Sequence, residues 1–485
     1  MRSRLLAVLA VAVIALGGCS AQEPARPGAL AVGLVEPGTL LPADVDDPAG
    51  LLVTGALWTP LADYDPVSGR VTPRAAASIT SPDRVTWTVK LRAGGRFHDG
   101  SPVTAKSYVD TWRTIAGEHW AATPVLTESL RAKDISAPDD ATIRITLDRP
   151  ANQVPAWLSA PGLAPLPASV LASGDWTGFA RHPVGNGPFR LDGDWQPGTG
   201  GTLRRVPPSA GHPDEVDLRV GDPVEQYDAV RDGDLDLTTS VPGERHDAMH
   251  ADFTDRHLMW ALPRAGYLVF PASATRFADA TVRHSLALGA DRGALANGPL
   301  AHQADPAKAL LPPSSAPGER TGTCRPCTFD PAAAQSLLGQ ARFTGPVPLY
   351  SDLGGDGWTR TLASGLARTL GVPVTAKQRP SAGPVDGPST VELKLVSPSP
   401  ADVLGELAEL AGYSDAGFTG DLAAAEAAAT PQEAGQLYRV AENQALRDLP
   451  AIPLWTGHGH AVWGPRVHDV RATPFGGVDL AELTG

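Results

Sequence analysis

Residues 87–112 read WTVKLRAGGRFHDGSPVTAKSYVDTW and contain the clearest local structural signals in the chain. Residues 85–91 alternate and are mostly β-branched or aromatic, which predicts a strand with one buried face. A Gly-Gly pair then predicts a turn, and the spacing of apolar residues over 104–115 predicts a helix that starts near Thr104. A second alternating run at 142–147 predicts another strand. This order of strand, helix and strand indicates an α/β body.

Three aromatic residues in or beside these elements, Trp87, Phe97 and Trp112, are interpreted as core residues, because large rings dominate protein cores. His98 and Asp99 resemble a catalytic pair, but adjacent residues on a turn seldom face one another. We therefore predict a hydrogen-bonded turn over residues 97–100.

Elements of the same two kinds are predicted along the rest of the chain. A buried strand is expected at 30–35, and the Glu-Pro-Gly that follows it breaks the strand and is expected to begin a ligand-facing loop. Apolar periodicity or helix propensity predicts helices at 227–232, 281–289, 331–341, 421–430 and 432–446. No repeat of fixed period is present, which argues against solenoids and propellers.

Composition and charge narrow the class of protein. The 485 residues carry 40 Lys+Arg and 53 Asp+Glu, a formal charge of −13, so nucleic-acid binding, which needs clustered positive charge, is not expected. Hydrophobic residues make up 42% and charged residues 19%, which favours folded cores over disorder. After the first twenty residues no apolar run is long enough to cross a bilayer as a helix, so the body is expected to be soluble.

The first residues resemble an export signal. Arg2 and Arg4 precede an apolar run over 5–16, and Gly17-Gly18-Cys19 follows, which resembles a bacterial lipobox. The resemblance implies that residues 1–19 form a lipoprotein signal, with Cys19 becoming the lipid-modified first residue of the mature protein, and that residues 20–28 form a flexible tether. The alternative is an ordinary cleaved signal. An acidic body is not attracted to anionic headgroups, so acyl chains are expected to hold it at the membrane.

Export also bears on the two remaining cysteines. Cys324 and Cys327 lie in a Pro- and Gly-rich loop, and a structural disulfide between them is the interpretation that we favour in an oxidising compartment. Redox or metal chemistry stays open as the alternative, although neither a βαβ context nor two further zinc ligands are apparent.

Six blocks in register resemble the family-five extracellular solute-binding proteins of peptide, nickel and related ABC importers. These blocks cover nearly the whole mature chain in the family's order: 87–112, 182–191, 229–236, 279–292, 329–338 and 438–455. Few other families carry the pattern of the first block.

The resemblance implies an α/β fold of the type II periplasmic-binding-protein kind, in which two lobes joined by hinge strands close on a ligand. The domains expected from it are lobe I (29–50, 181–262 and 464–485), an extra subdomain of lobe I (51–180) and lobe II (263–463). It further implies a monomeric lipoprotein on the outer face of the cell membrane, which captures an oligopeptide or peptide-like solute and delivers it to ABC permease subunits. No cofactor and no metal site are expected.

Five residues are predicted to line the cleft by their match to the family's cleft segments. Glu36 lies in the first cleft loop, Trp58 beside it, Tyr267 in the outgoing crossover, and Trp455 and His458 in the returning one. For each, a place in the core or at the rim is the open alternative, since Trp and Tyr are often simply buried.

One departure from the family pattern bears on the ligand. Peptide binders of the family usually carry a Trp-x-x-Asp loop whose carboxylate pairs with the peptide amino terminus, whereas residues 395–402 here read LVSPSPAD. A charged amine in a closed cleft without a counter-ion would cost several kcal/mol. Either Glu36 or Asp402 supplies that charge, or the ligand is not a peptide with a free amino terminus.

Two rival functions are suggested by parts of the sequence. His246 and His250, with His257 further on, resemble a zinc-protease helix and suggest a metal-dependent hydrolase, but the residue after His246 is Asp247, where a zincin has its Glu base. Since no nucleophile elbow or phosphate loop occurs either, we do not expect an enzyme. A lipoprotein that senses a ligand without transport is the other alternative, and the sequence does not separate it from import.

Overall fold

The computed structural model of the protein describes residues 28–315, 323–352, 357–473 and 475–485. The predicted signal segment with Cys19, and all of the predicted tether except Gly28, lie outside these residues. Within the described ranges, no helix combines the length and apolar character that crossing a membrane requires.

The described residues form strands that are short in most cases, with two exceptions of 13 residues each. The strands are β1 (Ala29–Leu34), β2 (Ala62–Tyr64), β3 (Val71–Pro73), β4 (Ala76–Thr80), β5 (Thr86–Leu91), β6 (Ala132–Asp139), β7 (Thr142–Leu147), β8 (Phe189–Gln196), β9 (Gly200–Arg205), β10 (Glu215–Val220), β11 (Leu237–Thr238), β12 (His257–Val269), β13 (Ala304–Pro306), β14 (Val347–Ser351), β15 (Val374–Gln378), β16 (Ser389–Lys394), β17 (Ala451–Trp463), β18 (Ala472–Thr473) and β19 (Gly477–Val478).

Helices alternate with the strands. They are α1 (Pro48–Leu57), α2 (Ala105–Glu118), α3 (Val154–Trp157), α4 (Ala168–Ser173), α5 (Trp176–Arg181), α6 (Pro223–Asp232), α7 (His246–Phe253), α8 (Ala280–Gly289), α9 (Arg292–Asn297), α10 (Pro331–Gln340), α11 (Gly357–Leu370), α12 (Pro400–Ala411), α13 (Ala416–Glu426) and α14 (Pro431–Asp448).

One 11-stranded sheet runs through the molecule. Its order is β15-β14-β16-β12-β17-β11-β1-β10-β9-β8, with β13 paired to β17. At one end β14 is parallel to β15 and β16, and at the other end β1 is parallel to β10 and β11. The long strands β12 and β17 are antiparallel to each other and lie in the middle of this order. They therefore connect the two ends of the sheet.

Buried apolar side chains form two large clusters that define two lobes. We call the part built on the first cluster, which includes Leu34, Trp112 and Leu218, the first lobe. The part built on the second cluster, which runs from Ala265 to Trp455, is the second lobe. A small third cluster lies under α6 and α7 beside β1 and β17. The predicted α/β arrangement of two lobes joined by crossing strands is confirmed.

A separate four-stranded sheet, β4-β5-β7-β6, contains the block from which the sequence analysis began. Val89 and Ile143 of this sheet are fully buried and belong to the same cluster as Leu218 of β10, so the small sheet shares the core of the first lobe. The predicted boundary of an extra subdomain at 51–180 remains a prediction.

Most of the predicted elements are confirmed to within a few residues, including β1, β5, β7, α2, α8, α10 and α14. Thr104 caps α2, and Trp87, Phe97 and Trp112 are buried as expected. The predicted turn at 97–100 is closed by the amide of Gly100, which donates to the carbonyl of Phe97 at 2.9 Å.

The Ala-rich stretch at 421–430 differs from its prediction, because α13 ends at Glu426. The reason lies in the next helix. Pro431 opens α14 and disfavours helical backbone at the residue before it, and Thr430 is extended, with its hydroxyl accepting from the amide of Glu433. A helix start overrides alanine propensity at this point.

Candidate functional site

The two crossing strands pack closely where they enter the second lobe. Gly266 of β12 pairs with Trp455 of β17, and the register shifts between Ala261 and Ala265 just before this point. The indole of Trp455 lies across Gly266 so closely that a Cβ atom on residue 266 would lie 2.1 Å from the ring nitrogen. Only a residue without a side chain fits here, so the packing of Trp455 requires glycine at position 266 of β12.

Trp455 is also enclosed by charged and aromatic neighbours. The guanidinium of Arg264 lies over its ring at 5.4 Å from the centroid, and Trp358 contacts it edge-on at 5.8 Å. Arg264 in turn pairs with Glu392 of β16 at 3.0 Å. Trp455 is 1% exposed, and its ring nitrogen has no hydrogen-bond partner among the described residues. The side chain predicted to contact ligand is therefore buried in this state.

The lobes contact each other through polar groups. Arg149 of the first lobe makes a two-pronged pair with Glu426 at the end of α13, with distances of 3.0 and 2.5 Å. The side-chain amide of Asn152 donates to the carbonyls of Ala425 and Ala428 at 3.2 and 2.9 Å. These contacts join the segment that follows β7 to the end of α13 and the residues just after it.

Two further contacts extend the same interface. Lys394, at the end of β16, pairs with Asp46 of the loop after β1 at 2.9 Å. The hydroxyl of Ser129 donates to Asp402 in the first turn of α12, and it also lies 3.4 Å from the hydroxyl of Ser397. The structure thus describes the lobes in contact, with polar groups on both sides.

Asp402 belongs to an acidic part of this contact. Burial raises its pKa above the ordinary value, although hydrogen bonds with Ser129 and Ser399 oppose the rise. The pKa of Glu406, one turn further along α12, is also raised by burial and by the neighbouring carboxylates of Glu128 and Asp402. Asp402 is therefore engaged in holding the lobes together in this state.

Glu36 lies at the edge of a cavity of about 350 Å³ in the first lobe. One carboxylate oxygen accepts from the ring nitrogen of Trp195 at 2.9 Å, and the other accepts from the amide of Gly198 at 2.7 Å. Trp120 and Trp176, in edge-to-face contact at 4.9 Å, form the opposite wall. The cavity adjoins the loop whose Asp46 reaches the second lobe, so it lies beside the lobe contact.

Trp58 and Tyr267 are buried and hydrogen-bonded. The ring nitrogen of Trp58 donates to the carbonyl of Pro165 at 3.1 Å, and its ring contacts Phe179 edge-on. The hydroxyl of Tyr267 donates to the carbonyl of Leu310 at 2.7 Å. With 3% and 1% exposure, both residues occupy core positions in the described state.

His458 on β17 has both ring nitrogens engaged. One faces Asp305 at 3.0 Å and the other faces the carbonyl of His302 at 2.8 Å. Burial alone would lower the pKa of His458, but these two acceptors raise it above the ordinary value. Because both partners only accept, the imidazolium form satisfies them best. Burial and the neighbouring histidines lower the pKa of His460, two residues on, to about 3.

The two histidines of the zinc-protease resemblance lie on α7 and have different neighbours. His246 stacks on His302 at 4.7 Å between ring centroids, whereas His250 contacts His257 edge-on at 4.4 Å. A zincin holds one ion between the histidine at the start of the motif and the one four residues later. Here each of them contacts a histidine from elsewhere in the chain.

Cys324 and Cys327 are joined by a disulfide across a single turn of helix over Arg325–Cys327. A cavity of about 460 Å³ lies beside this turn and is lined by His284 and Arg447 as well as the disulfide loop. It is larger than the cavity at Glu36. Its described walls come from the second lobe alone, as those of the Glu36 cavity come from the first, and they include none of the residues whose pairs across the lobes are given above.

Several residues of the site carried no sequence signal. Arg149, Arg264 and the three tryptophans of the Glu36 cavity are far apart in the chain and resemble ordinary core or surface residues in the sequence. Trp195 was detectable only through its hydrogen bond to Glu36, 159 positions away. Tertiary packing brings these groups together, and local pattern does not report it.

Comparisons with known proteins bear on the family and the fold. Residues 70–371 match the family model described as bacterial extracellular solute-binding proteins, family 5 Middle. The glutathione-binding protein GsiB of Shigella dysenteriae is 26% identical over 324 residues, which are 63% of this chain and 59% of that protein. The probable deoxycholate-binding periplasmic protein YgiS of Escherichia coli is 28% identical over 344 residues, 66% of this chain and 64% of that protein. The matches thus span about three-fifths of the length of these curated relatives.

The fold has close counterparts among solved structures. HbpA2 of Haemophilus parasuis superposes with a TM-score of 0.79 at 18% identity, covering 94% of this chain and 99% of that one. At this identity the likeness shows the fold alone. The type II periplasmic-binding-protein fold that the sequence predicts is confirmed.

Proposed function

Because the chain belongs to family 5 of the bacterial extracellular solute-binding proteins, we propose that it is the substrate-binding lipoprotein of an ABC importer. In this proposal it captures an oligopeptide or a peptide-like solute between its lobes and delivers it to the permease. The family consists of binding proteins that work outside the cytoplasm and are not enzymes, so the hydrolase alternative on His246 and His250 is dropped.

The observation that carries the proposal is that the two lobes are held together in two different ways. Two continuous strands join the lobes, while ion pairs and hydrogen bonds such as Arg149 with Glu426 hold the faces together. Water replaces polar contacts of this kind at modest cost, so an open state is accessible. A solute that touches both faces stabilises the closed state, and a permease can recognise that state.

The cavity at Glu36 favours a solute with both apolar and polar parts. Trp120 and Trp176 offer apolar surface, and Glu36 with Asp44 offers negative charge. A peptide or peptide conjugate has side chains for the first surface and amide or amino groups for the second. Two relatives of similar identity are named for glutathione and for deoxycholate, so membership of the family alone does not choose the solute.

Glu36 and Asp402 are the two carboxylates that could pair with the amino terminus of a bound peptide. Asp402 is half-buried and accepts a hydrogen bond from Ser129, so it is committed to the lobe contact. Glu36 is exposed at the cavity, and we propose that it contacts the solute directly. The buried Trp58, Tyr267, Trp455 and His458 are proposed to shape the walls around the binding region. Without the family's Trp-x-x-Asp loop, simple di- and tripeptides are expected to bind weakly.

The test is a binding measurement with a matched pair of variants. Native mass spectrometry of protein purified from its own host identifies the solute that co-purifies, and calorimetry then measures its affinity. Glu36→Gln is expected to weaken the affinity for that solute at least about tenfold, since a charge-assisted contact contributes about 1.5–3 kcal/mol. Glu118→Gln, an exposed carboxylate at the end of α2, is the control and should leave affinity unchanged.

Two results would overturn the proposal. One is the absence of any retained solute from host-purified protein and from a library of peptides and peptide conjugates. The other is sub-micromolar binding of unblocked Ala-containing peptides that Glu36→Gln leaves unaffected, which would contradict the proposed role of Glu36. Uptake of the identified solute by cells with and without the protein separates import from sensing.

Anchoring and delivery are separate parts of the proposal. We propose that Cys19 is acylated and that a monomer is tethered to the outer face of the cell membrane, where it meets its permease subunits. Intact-mass analysis of membrane-extracted protein should show acyl chains on Cys19, and Cys19→Ser should release the protein into the soluble fraction. A soluble wild-type protein without acyl chains would contradict this part alone.

A further inference from the structure

A second cluster of chemically active side chains lies beside the crossing strands, away from the Glu36 cavity. His246 and Asp247, at the start of α7, and His302, in the loop between α9 and β13, present ligand atoms that all lie within 4.8 Å of one another. The rings of His246 and His302 are nearly parallel, with an interplanar angle of 12°. Two imidazoles and one carboxylate are a donor set that divalent zinc and its neighbours in the transition series prefer.

His460 supplies an independent sign that the cluster is incomplete. It is 1% exposed, and neither of its ring nitrogens has a hydrogen-bond partner among the described residues. Its ring meets that of His246 edge-on at 5.3 Å, and the Nδ1 atom of His246 is also buried without a partner in the described part of the chain. Buried polar atoms are rarely left unpaired, so these nitrogens indicate that a bound group completes the cluster.

His458 has a different part in the same cluster. Both of its nitrogens are already occupied, one by Asp305 and the other by the backbone carbonyl of His302. It therefore fixes the loop that carries His302 rather than offering a donor atom. The backbone of His302 has φ +58°, a conformation that such a contact helps to hold.

The cluster joins elements of both lobes. α7 packs through Met249 and Phe253 on the small cluster beside β1, whereas Leu295 and Ala304, on either side of the His302 loop, belong to the second-lobe core. His460 lies on β17, which connects the lobes. An ion held by the three grouped residues would link α7 to the loop of the second lobe that carries His302.

We infer that His246, Asp247 and His302, with the ring of His460 beside that of His246, form a binding site for a divalent transition-metal ion of the zinc kind at the hinge between the lobes. Metal–nitrogen distances of about 2.0–2.1 Å place tetrahedral ligand atoms about 3.3 Å apart, so the side chains close by about 1.5 Å or less when the ion binds. None of these three ligands is among the residues proposed to contact or enclose the solute, and the metal site does not depend on that function.

The experiment uses the full chain without a polyhistidine tag. Zn²⁺ titrated in a calorimeter is expected to bind one ion per chain with micromolar or tighter affinity, whereas Mg²⁺ and Ca²⁺, which prefer oxygen ligands, should not bind. His302→Asn and His246→Asn should each weaken Zn²⁺ at least about tenfold. His468→Gln removes an exposed histidine outside the cluster and should leave the affinity unchanged.

A measurement on the unaltered protein guards against variants that fold poorly. Diethylpyrocarbonate modification read by peptide mass spectrometry should show Zn²⁺ protecting His246 and His302 but not His468. Absence of Zn²⁺ binding overturns the site, and so does binding that both variants leave unaffected. Protection of His250 and His257 in place of His246 and His302 overturns it as well, since it would place the ion on the neighbouring pair.

Discussion

The hinge strands and the lobe contact hold the same two lobes together by different physics. β12 and β17 pair over most of their length, and Trp455 packs onto Gly266 with almost no exposed surface. The contact between the faces includes the polar side-chain pairs Arg149 with Glu426, Lys394 with Asp46 and Ser129 with Asp402, whose hydrogen bonds water is able to replace.

This difference indicates which part of the molecule is able to move. Breaking the strand pairs exposes backbone groups and apolar rings together, which is costly, whereas opening the faces exchanges polar contacts for water. The hinge is therefore expected to persist while the contact opens and closes. Four substitutions test this contrast, one in the hinge and three in the contact between the faces.

Gly266→Ala should have the largest effect, because its methyl group meets the ring of Trp455. We expect a loss of about 1–3 kcal/mol in the free energy of unfolding, the cost of overpacking a buried site. Thermal unfolding followed by calorimetry measures it. Gly405→Ala in α12 is the control, since a Cβ there meets nothing within 4 Å, and it should leave stability unchanged or slightly higher. Equal stability of the two variants would mean that the hinge is loosely packed.

Glu426→Gln should shift the lobes rather than unfold them. The pair with Arg149 is partly buried, and its loss is expected to favour the open state by about 1–2 kcal/mol, roughly tenfold. Small-angle scattering of the solute-free protein should report a larger radius of gyration, with little change in melting temperature. Asp110→Asn breaks two surface pairs within α2, with Lys106 and Arg113, and should change neither quantity. A compact Glu426→Gln variant with lowered stability would contradict the contrast.

The lobe contact should also depend on pH through Asp402. Burial raises the pKa of Asp402 in the contact, so the closed state binds its proton more tightly than the open state does. The contribution of Asp402 to the stability of the closed state is then fully present below the ordinary carboxyl pKa, and it is lost as pH rises through the raised pKa. Scattering across this range should show opening with rising pH, and Asp402→Asn should flatten most of the dependence, leaving a part from Glu406. Closure that strengthens with rising pH would refute this sign.

Lys394→Gln should have the smallest effect. Lys394 and Asp46 are both more than half exposed, and exposed pairs contribute about 0–1 kcal/mol. The radius of gyration should change slightly at low salt and not at all at high salt, because screening removes the attraction. An effect as large as that of Glu426→Gln would show that position in the contact matters more than burial.

The sequence predicted the scaffold better than the binding region, for a physical reason. Strands such as 142–147 and helices such as 281–289 follow from periodicity, which is local, and the six matching blocks placed them in one family order. Burial of Trp455 and the commitment of Asp402 to the lobe contact depend on residues more than a hundred positions away. Pattern alone left cleft, core and rim open for these side chains.

The histidine cluster illustrates the same limit from the other side. His246 and His250 suggested a motif through their spacing on one helix, yet the partner of His246 is His302, which comes from another lobe. The spacing of His246 and His250 correctly predicted that both lie on one helix. It carried no information about His302, the residue that His246 contacts. The packing of the loop between α9 and β13 against α7 supplies this contact.

The clamp itself is tested most directly by the distance between the lobes. Spin labels at Glu118→Cys in α2 and Glu409→Cys in α12, with Cys19 replaced by Ser, report that distance by pulsed electron resonance. We expect a long and a short population without solute, and the short one alone when the solute that co-purifies is added. A single distance that no solute changes would contradict a protein that works by closing.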